Sequence, residues 1–292
     1  MELRSEPITE PPRAAATVVL LRDGTAGLEV LLLKRHSRSD VLGGVYVFPG
    51  GKVDAIDARP DWPSRLDQSP SQLHAGLHEP GIDDTAATSL YVAALREVFE
   101  ESGLLLALDL PRQLAARAAA LHRDGCAFDD LLARLALTLH TRAALPWSRW
   151  ITPRRPAMMS KRFDTRFFVA EAPAGQQARH DEHETTESVW LAPRAALLRY
   201  HERRIELAPP QIMSLAHLSR HASVASVLQE ARSRPPPLVE PEPIEQDGMQ
   251  MFCYPGDLRH PVRQRALPGP TRLCCQDGRH FEPVEGFDAL FG

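Results

Sequence analysis

Glu97, Glu100 and Glu101 stand at i, i+3 and i+4, a spacing that sets three carboxylates on one face of a helix. Like charges so placed repel, costing an isolated helix about 0.2–0.5 kcal/mol per pair. A hard divalent cation removes that conflict, and magnesium takes oxygen ligands in octahedral geometry. Arg96 precedes Glu100 by four residues and can hold a carboxylate in place. The same glutamates would suit a solvated acidic face, so their surroundings must decide.

The elements that would position them can be read from periodicity. Ala14–Leu21 and Leu28–Lys34 are β-rich apolar runs on either side of a polar, glycine-bearing turn, a strand–turn–strand pattern. Val45–Phe48 reads as a short strand, stopped by Pro49-Gly50-Gly51. The polar stretch Pro60–Pro80 reads as loop. A helix is predicted over Ala86–Ser102, carrying the glutamates and closed by Gly103 at its C-cap. Further helices are expected from Pro111 to about Asp124 and from Phe128 to His140, and strands over Arg162–Val169 and Ser188–Leu191. Pro193 should start a short helix, and Pro209-Pro210 a longer amphipathic one reaching about Arg232. Pro235–Pro243 reads as a stiff linker. After it, Met249–Tyr254 and Thr271–Phe281 suggest a small β extension with Asp277-Gly278 as its turn.

Arg96, Glu97, Val98, Glu100, Glu101, Gly103 and Leu104, with Gly51 upstream, resemble the box of the Nudix hydrolases, G-x5-E-x7-R-E-U-x-E-E-x-G-U with U aliphatic. Asp57 stands where the box has its first glutamate. Between Asp57 and Arg96 lie 38 residues, 31 more than the box allows. One branch of the family, that of the peroxisomal acyl-coenzyme A diphosphatases, carries such an interruption. The stretch Phe48–Asp57, the run Ser160–Phe168 and the segment Leu207–Gln211 are also similar to that branch. The resemblance implies an α/β fold: a Nudix α/β/α sandwich with a mixed sheet, helical additions and a C-terminal extension. It divides the chain into a flexible tail (1–13), a Nudix domain (14–232) with its box split into 51–57 and 96–104 by an insertion (58–89), and a linker with a small extension (233–292).

The resemblance implies that the Gly51 carbonyl, Glu97, Glu100 and Glu101 hold Mg2+, with Mn2+ as a substitute, and that Glu101 and Arg96 belong to the catalytic group. A general base often comes from a late loop in this family, and Glu184, six residues before Trp190, matches the spacing of its founding member. Glu187 fits a structural role better. The implied reaction is hydrolysis of a diphosphate bond in coenzyme A or acyl-CoA, giving 3′,5′-ADP and a phosphopantetheine. Gly50 would let backbone approach the phosphates. Arg35, Arg38, Lys161 and Arg162 are the candidate cations for them.

A CoA-specific motif of another Nudix branch is half present, with Arg35 and Gly44 kept but Leu42 and Tyr46 departing from it. Other nucleoside diphosphate derivatives (ADP-ribose, NADH, a nucleotide sugar) stay open as substrates, although the marks of ADP-ribose and NADH hydrolases are missing. So does a Nudix regulator that binds a ligand without cutting it, although such domains usually lose box glutamates.

The formal charge of −4, from 34 basic and 38 acidic side chains, gives no global pull toward nucleic acid or an anionic membrane. No apolar run approaches the ~20 residues that span a bilayer. Cys126, Cys253, Cys274 and Cys275 form no C-x-x-C pair and suit free thiols in a reducing compartment. With no signal core at the start and no address at the end, the expected location is the cytoplasm. His74 and His78 have a metal-like i, i+4 spacing, but a lid-like loop is the preferred reading of the insertion. The extension could cover the site, mediate a homodimer, or do neither.

Overall fold

The structure is a computed structural model and describes residues 8–37, 42–155, 161–179, 184–246 and 248–292. The expected hairpin is present as β1 (Arg13–Gly24) and β2 (Gly27–Arg35), paired antiparallel. Short strands β3 (Tyr46–Val47) and β4 (Gly50–Lys52) add to β2 and β1. Strands β5 (Leu145–Ile151), β6 (Phe163–Glu171) and β7 (Thr185–Leu191) follow, and β8 (Leu238–Val239) closes the sheet. The order is β3-β2-β1-β6-β5-β8, with β7 also on β2. β1 runs parallel to β6 and β5 parallel to β8, while the other pairs are antiparallel, so the sheet is mixed.

Alternation along β1 and β2 feeds two cores. Val18, Leu20, Leu31 and Leu33 face one side, packed under α1 (Pro70–Leu77), α2 (Asp84–Ser102), α3 (Arg112–Arg123) and α4 (Phe128–Leu135). Val19, Leu21, Val30 and Leu32 face the other, under α5 (Pro193–His201), α6 (Pro209–Leu218) and α7 (Val224–Ser233). The expected sandwich is therefore what forms. A second sheet of β9 (Glu242–Gln246), β10 (Met249–Cys253), β11 (Arg272–Cys275) and β12 (Phe281–Pro283) packs on this second side, with Gly278 at positive φ in the β11–β12 turn. Its Phe252, Leu273 and Phe281 share a core with Leu197 and Leu215. The Tyr200 hydroxyl accepts from the Phe281 N–H at 2.6 Å, fixing the small sheet to α5.

Four expectations are corrected. The stretch expected as a polar loop holds a turn of 3-10 helix at Trp62–Arg65 and then α1, capped by Ser69 and Gln72. Trp62, Leu73 and Leu77 are fully buried there, and each large apolar side chain so buried contributes about 1.5–3 kcal/mol. The segment 58–89 also supplies the first six residues of α2 itself. The helix expected to reach His140 ends at Ala136 in the left-handed region, and Leu139 turns back to bridge Leu66 and Ala107. The helix expected to reach Arg232 breaks into α6 and α7, because Ser223 caps the second piece by accepting from the Ser226 N–H. Within the proline-rich stretch, Leu238 and Val239 pair with Arg149 and Trp150 instead of running free.

Candidate active site

The carboxylate helix α2 begins where Asp83 accepts from the Ala86 N–H at 2.7 Å, and ends at Gly103, whose positive φ lets its N–H reach Phe99 O. Its apolar face packs against the sheet, which leaves Glu97, Glu100 and Glu101 beside the glycine turn of β4. A Cβ on Gly51 would lie 2.5 Å from the Glu97 carboxylate and displace it, while one on Gly50 would meet the backbone oxygen of Ala16 at 2.5 Å. The Gly50 N–H donates to Glu101 Oε2 at 2.9 Å.

Arg96 organises the group from below. Its Nε and Nη2 fork onto Asp57 at 2.8 and 2.9 Å, while Nη1 donates to Glu97 Oε1 and Glu100 Oε2, both at 2.8 Å. Asp57 is wholly buried and also accepts from the Asp54 N–H at 2.8 Å, so it shapes the turn after the glycines. The interrupted halves of the box are thus rejoined by a bidentate ion pair between residues 39 apart in sequence.

Burial governs the electrostatics. It pushes Glu101 up to about 8, opposed by the Gly50 N–H, and Glu97 up to about 7, opposed by Arg96. Glu101 Oε1 is buried with no hydrogen-bond partner. Three clustered carboxylates, one of them with a buried, orphaned acceptor, suit a hard divalent cation.

Glu97 and Glu100 open onto a cavity of about 630 Å3. Arg35, Lys52, Lys161 and Glu184 line the same cavity, and Arg35 Nη2 lies 4.0 Å from Glu184 Oε2. Arg35 Nε is buried without a partner. Aromatic side chains line much of the remaining wall, with Phe48, Trp150, Phe163 and Phe167 from or beside the main sheet and Phe252 and Phe281 from the small one, interspersed with Arg13, Thr152, Thr165 and Gln211.

The structure therefore gathers Gly50, Gly51, Glu97, Glu100, Arg96, Arg35, Lys161 and Glu184 at one cavity, with Glu101 buried beneath it. Arg162 is elsewhere. It is buried, donating to Thr152 O at 2.8 Å and to Glu240 Oε1 at 3.2 Å, which ties the chain before β6 to the segment after β8. Arg38 lies outside the described residues. Glu187 accepts from the Tyr46 hydroxyl at 2.8 Å, a positioning contact as expected. His74 and His78 do not meet at a metal: His74 spends its ring nitrogens on Asp84 Oδ1 and Glu79 O.

Sequence reasoning passed over the aromatic residues of the small sheet, which also line the cavity. Glu79, in the same insertion as His74 and His78, bonds Arg166 and Arg149 and so anchors the insertion to β6 and β5. The segment Leu207–Gln211, noted in the sequence for its family resemblance, brings Ala208, Pro209, Pro210 and Gln211 to the cavity.

The description of the NUDT19 Nudix domain matches residues 11–218. The chain belongs to the Nudix family. Within it, the chain is 29% identical to a Xenopus laevis acyl-coenzyme A diphosphatase, NUDT19, over 70% of its own length and 63% of that protein's. It therefore spans less than two thirds of that relative. A putative nudix hydrolase 7 of Caenorhabditis elegans is 25% identical over 95% of this chain and 84% of that one, so likeness to a Nudix protein continues past residue 218. The crystal structure of a Nudix hydrolase from Alicyclobacillus acidocaldarius is 29% identical and superposes with a TM-score of 0.61, covering 76% of this chain and 97% of that one.

Proposed function

We propose that this Nudix chain is a magnesium-dependent hydrolase of a nucleoside diphosphate derivative, with coenzyme A or acyl-CoA as substrate, cut to 3′,5′-ADP and (acyl-)phosphopantetheine. The observation that carries the reading is one cavity with carboxylates held by Arg96 and a wall rich in aromatic side chains.

Glu97, Glu100, Glu101 and the Gly51 carbonyl would hold the metal, Mg2+ or Mn2+, which when bound neutralises the diphosphate and lowers the pKa of water. Arg96 fixes two of these carboxylates before substrate arrives, so little reorganisation remains. Arg35 and Lys161 line the same cavity and would meet the phosphates, with Arg35 Nε free to donate once a phosphate oxygen is near. Glu184 stands at the rim and serves as general base, taking the proton of the attacking water. Phe163, Phe167, Trp150 and Phe252 would bury a pantetheine or acyl arm, at about 0.8 kcal/mol for each CH2 removed from water. The name of the Xenopus relative, an acyl-CoA diphosphatase, supports the same substrate class.

The test is mass spectrometry of products after incubation with magnesium and a panel of CoA, acyl-CoA, ADP-ribose, NADH and a nucleotide sugar. Phosphopantetheine and 3′,5′-ADP are expected. Cleavage of ADP-ribose or NADH without CoA would overturn the substrate, and binding without any cleavage would favour a regulator.

A further inference from the structure

Behind the main sheet, three side chains converge that take no part in the catalytic cavity. His217 is on the last turn of α6, His221 lies in the connection after it, and Glu230 is on α7. His217 Nε2 is 2.9 Å from Glu230 Oε1, and His221 Nε2 is 3.0 Å from Glu230 Oε2. Their ligating atoms all lie within 4.8 Å of one another.

The protons of His221 can be placed from its neighbours. The Ser226 hydroxyl donates to Ser223 O at 2.9 Å, which uses its one proton. At His221 Nδ1, 3.0 Å away, Ser226 Oγ can therefore only accept, so Nδ1 carries the ring's N–H. In the neutral ring the Nε2 lone pair then faces a carboxylate oxygen at hydrogen-bond distance. Two lone pairs do not rest so close unless a cation lies between them, either a proton on Nε2 or a metal ion. The Nδ1–H···Oγ bond is also the outer contact that orients a metal-bound imidazole.

Two imidazole nitrogens and one carboxylate suit a borderline transition ion, zinc above all, and not magnesium, which prefers oxygen. We propose that His217, His221 and Glu230 form a zinc-type site separate from the catalytic carboxylates, with a fourth position open to water. The site would clamp α6, inside the matched region 11–218, to α7 beyond it. His217 is almost fully buried, its ring packed 4.6 Å from that of Trp147, while Glu230 is partly exposed and offers an entry path. Arg234 now donates to Glu230 Oε1 at 2.7 Å, so the ion must share or displace that contact. The guanidinium already lies 4.5 Å above the Trp147 ring with Nη1 on Trp147 O at 3.1 Å, contacts that hold it when the Glu230 bond is released.

The experiment uses untagged, metal-stripped full-length protein titrated with Co2+ and then Zn2+. To silence the catalytic site, a Glu97→Gln/Glu100→Gln/Glu101→Gln variant is titrated alongside the wild type. Expected are one equivalent of Co2+ with the visible spectrum of nitrogen-ligated, four-coordinate cobalt in both proteins, its displacement by Zn2+, and a higher Tm with zinc. A His217→Ala/His221→Ala variant should lose that spectrum while the carboxylate site stays loaded. Wild-type protein that gives no such spectrum and no zinc-dependent Tm shift would overturn the proposal and leave a proton on His221 Nε2.

Discussion

Two clusters in this molecule each combine three ligating side chains with an arginine, and they differ in how the charge is balanced. Around α2, Arg96 holds three carboxylates (Asp57, Glu97 and Glu100) and Glu101 is buried beside them, so negative charge is left over in a buried place. Between α6 and α7, one carboxylate, Glu230, already has Arg234 and two imidazoles around it. The first cluster calls for a cation on charge alone and offers hard oxygen. The second is near balance and could attract an ion only through the affinity of its nitrogens. The difference teaches that excess buried charge marks the place for hydrolysis, while donor type marks the place for a clamp.

The sharpest way to break the comparison is to remove charge from α2. Glu101→Gln should abolish turnover, since loss of metal charge stabilisation is worth several kcal/mol, or about 10³-fold or more. Steady-state rates with saturating magnesium check this, and an active Glu101→Gln enzyme would detach the helix from the chemistry. Glu184→Gln should lower kcat by about 10²-fold with Mg2+ affinity kept, as removal of a general base does. An unchanged kcat would take Glu184 out of the mechanism.

Arg96→Met should cost about 3–5 kcal/mol of stability in urea unfolding, because it strands Asp57 as a buried unpaired charge. The paired change Asp57→Asn with Arg96→Met should recover part of that loss. If the double variant is no more stable than the single, the ion pair does not join the two halves of the box.

The smallest effect is a pH dependence. Burial raises Glu97 and Glu101 above their ordinary value of 4.5, to about 7 and about 8. Carboxyls raised in the folded state stabilise it fully at low pH and lose that contribution as pH rises through the folded values. Metal-free protein should therefore lose Tm as pH climbs from 4.5 toward 8, by ~2–4 °C for each kcal/mol, and magnesium should restore it most at the upper end. A Tm gain from magnesium that is equal at pH 6 and pH 8 would contradict this coupling.

Much of this was legible in the sequence because it is local. The spacing of Glu97, Glu100 and Glu101 needs only a helix to become a face, and Asp83 and Gly103 mark that helix's ends. The hairpin of β1 and β2 follows from alternating apolar residues around a glycine turn. What escaped was long-range or sparse. Trp62, Leu66, Leu73 and Leu77 are scattered among polar residues, and their burial depends on partners such as Phe128 and Leu139 far along the chain. Arg162 looked equivalent to Lys161, but neighbours at the start of a strand point to opposite sides, so only Lys161 lines the cavity. The Asp57–Arg96 fork could not be read from spacing, because 38 intervening residues hide that the two meet.

The most direct test of the central claim is the rate of 3′,5′-ADP release from CoA as a function of Mg2+, measured for wild type, Glu101→Gln and His217→Ala/His221→Ala. The account predicts saturable, magnesium-dependent release that vanishes with Glu101→Gln and survives in the histidine variant. Release by Glu101→Gln at the wild-type rate, or by wild type with all divalent metal chelated, would contradict it.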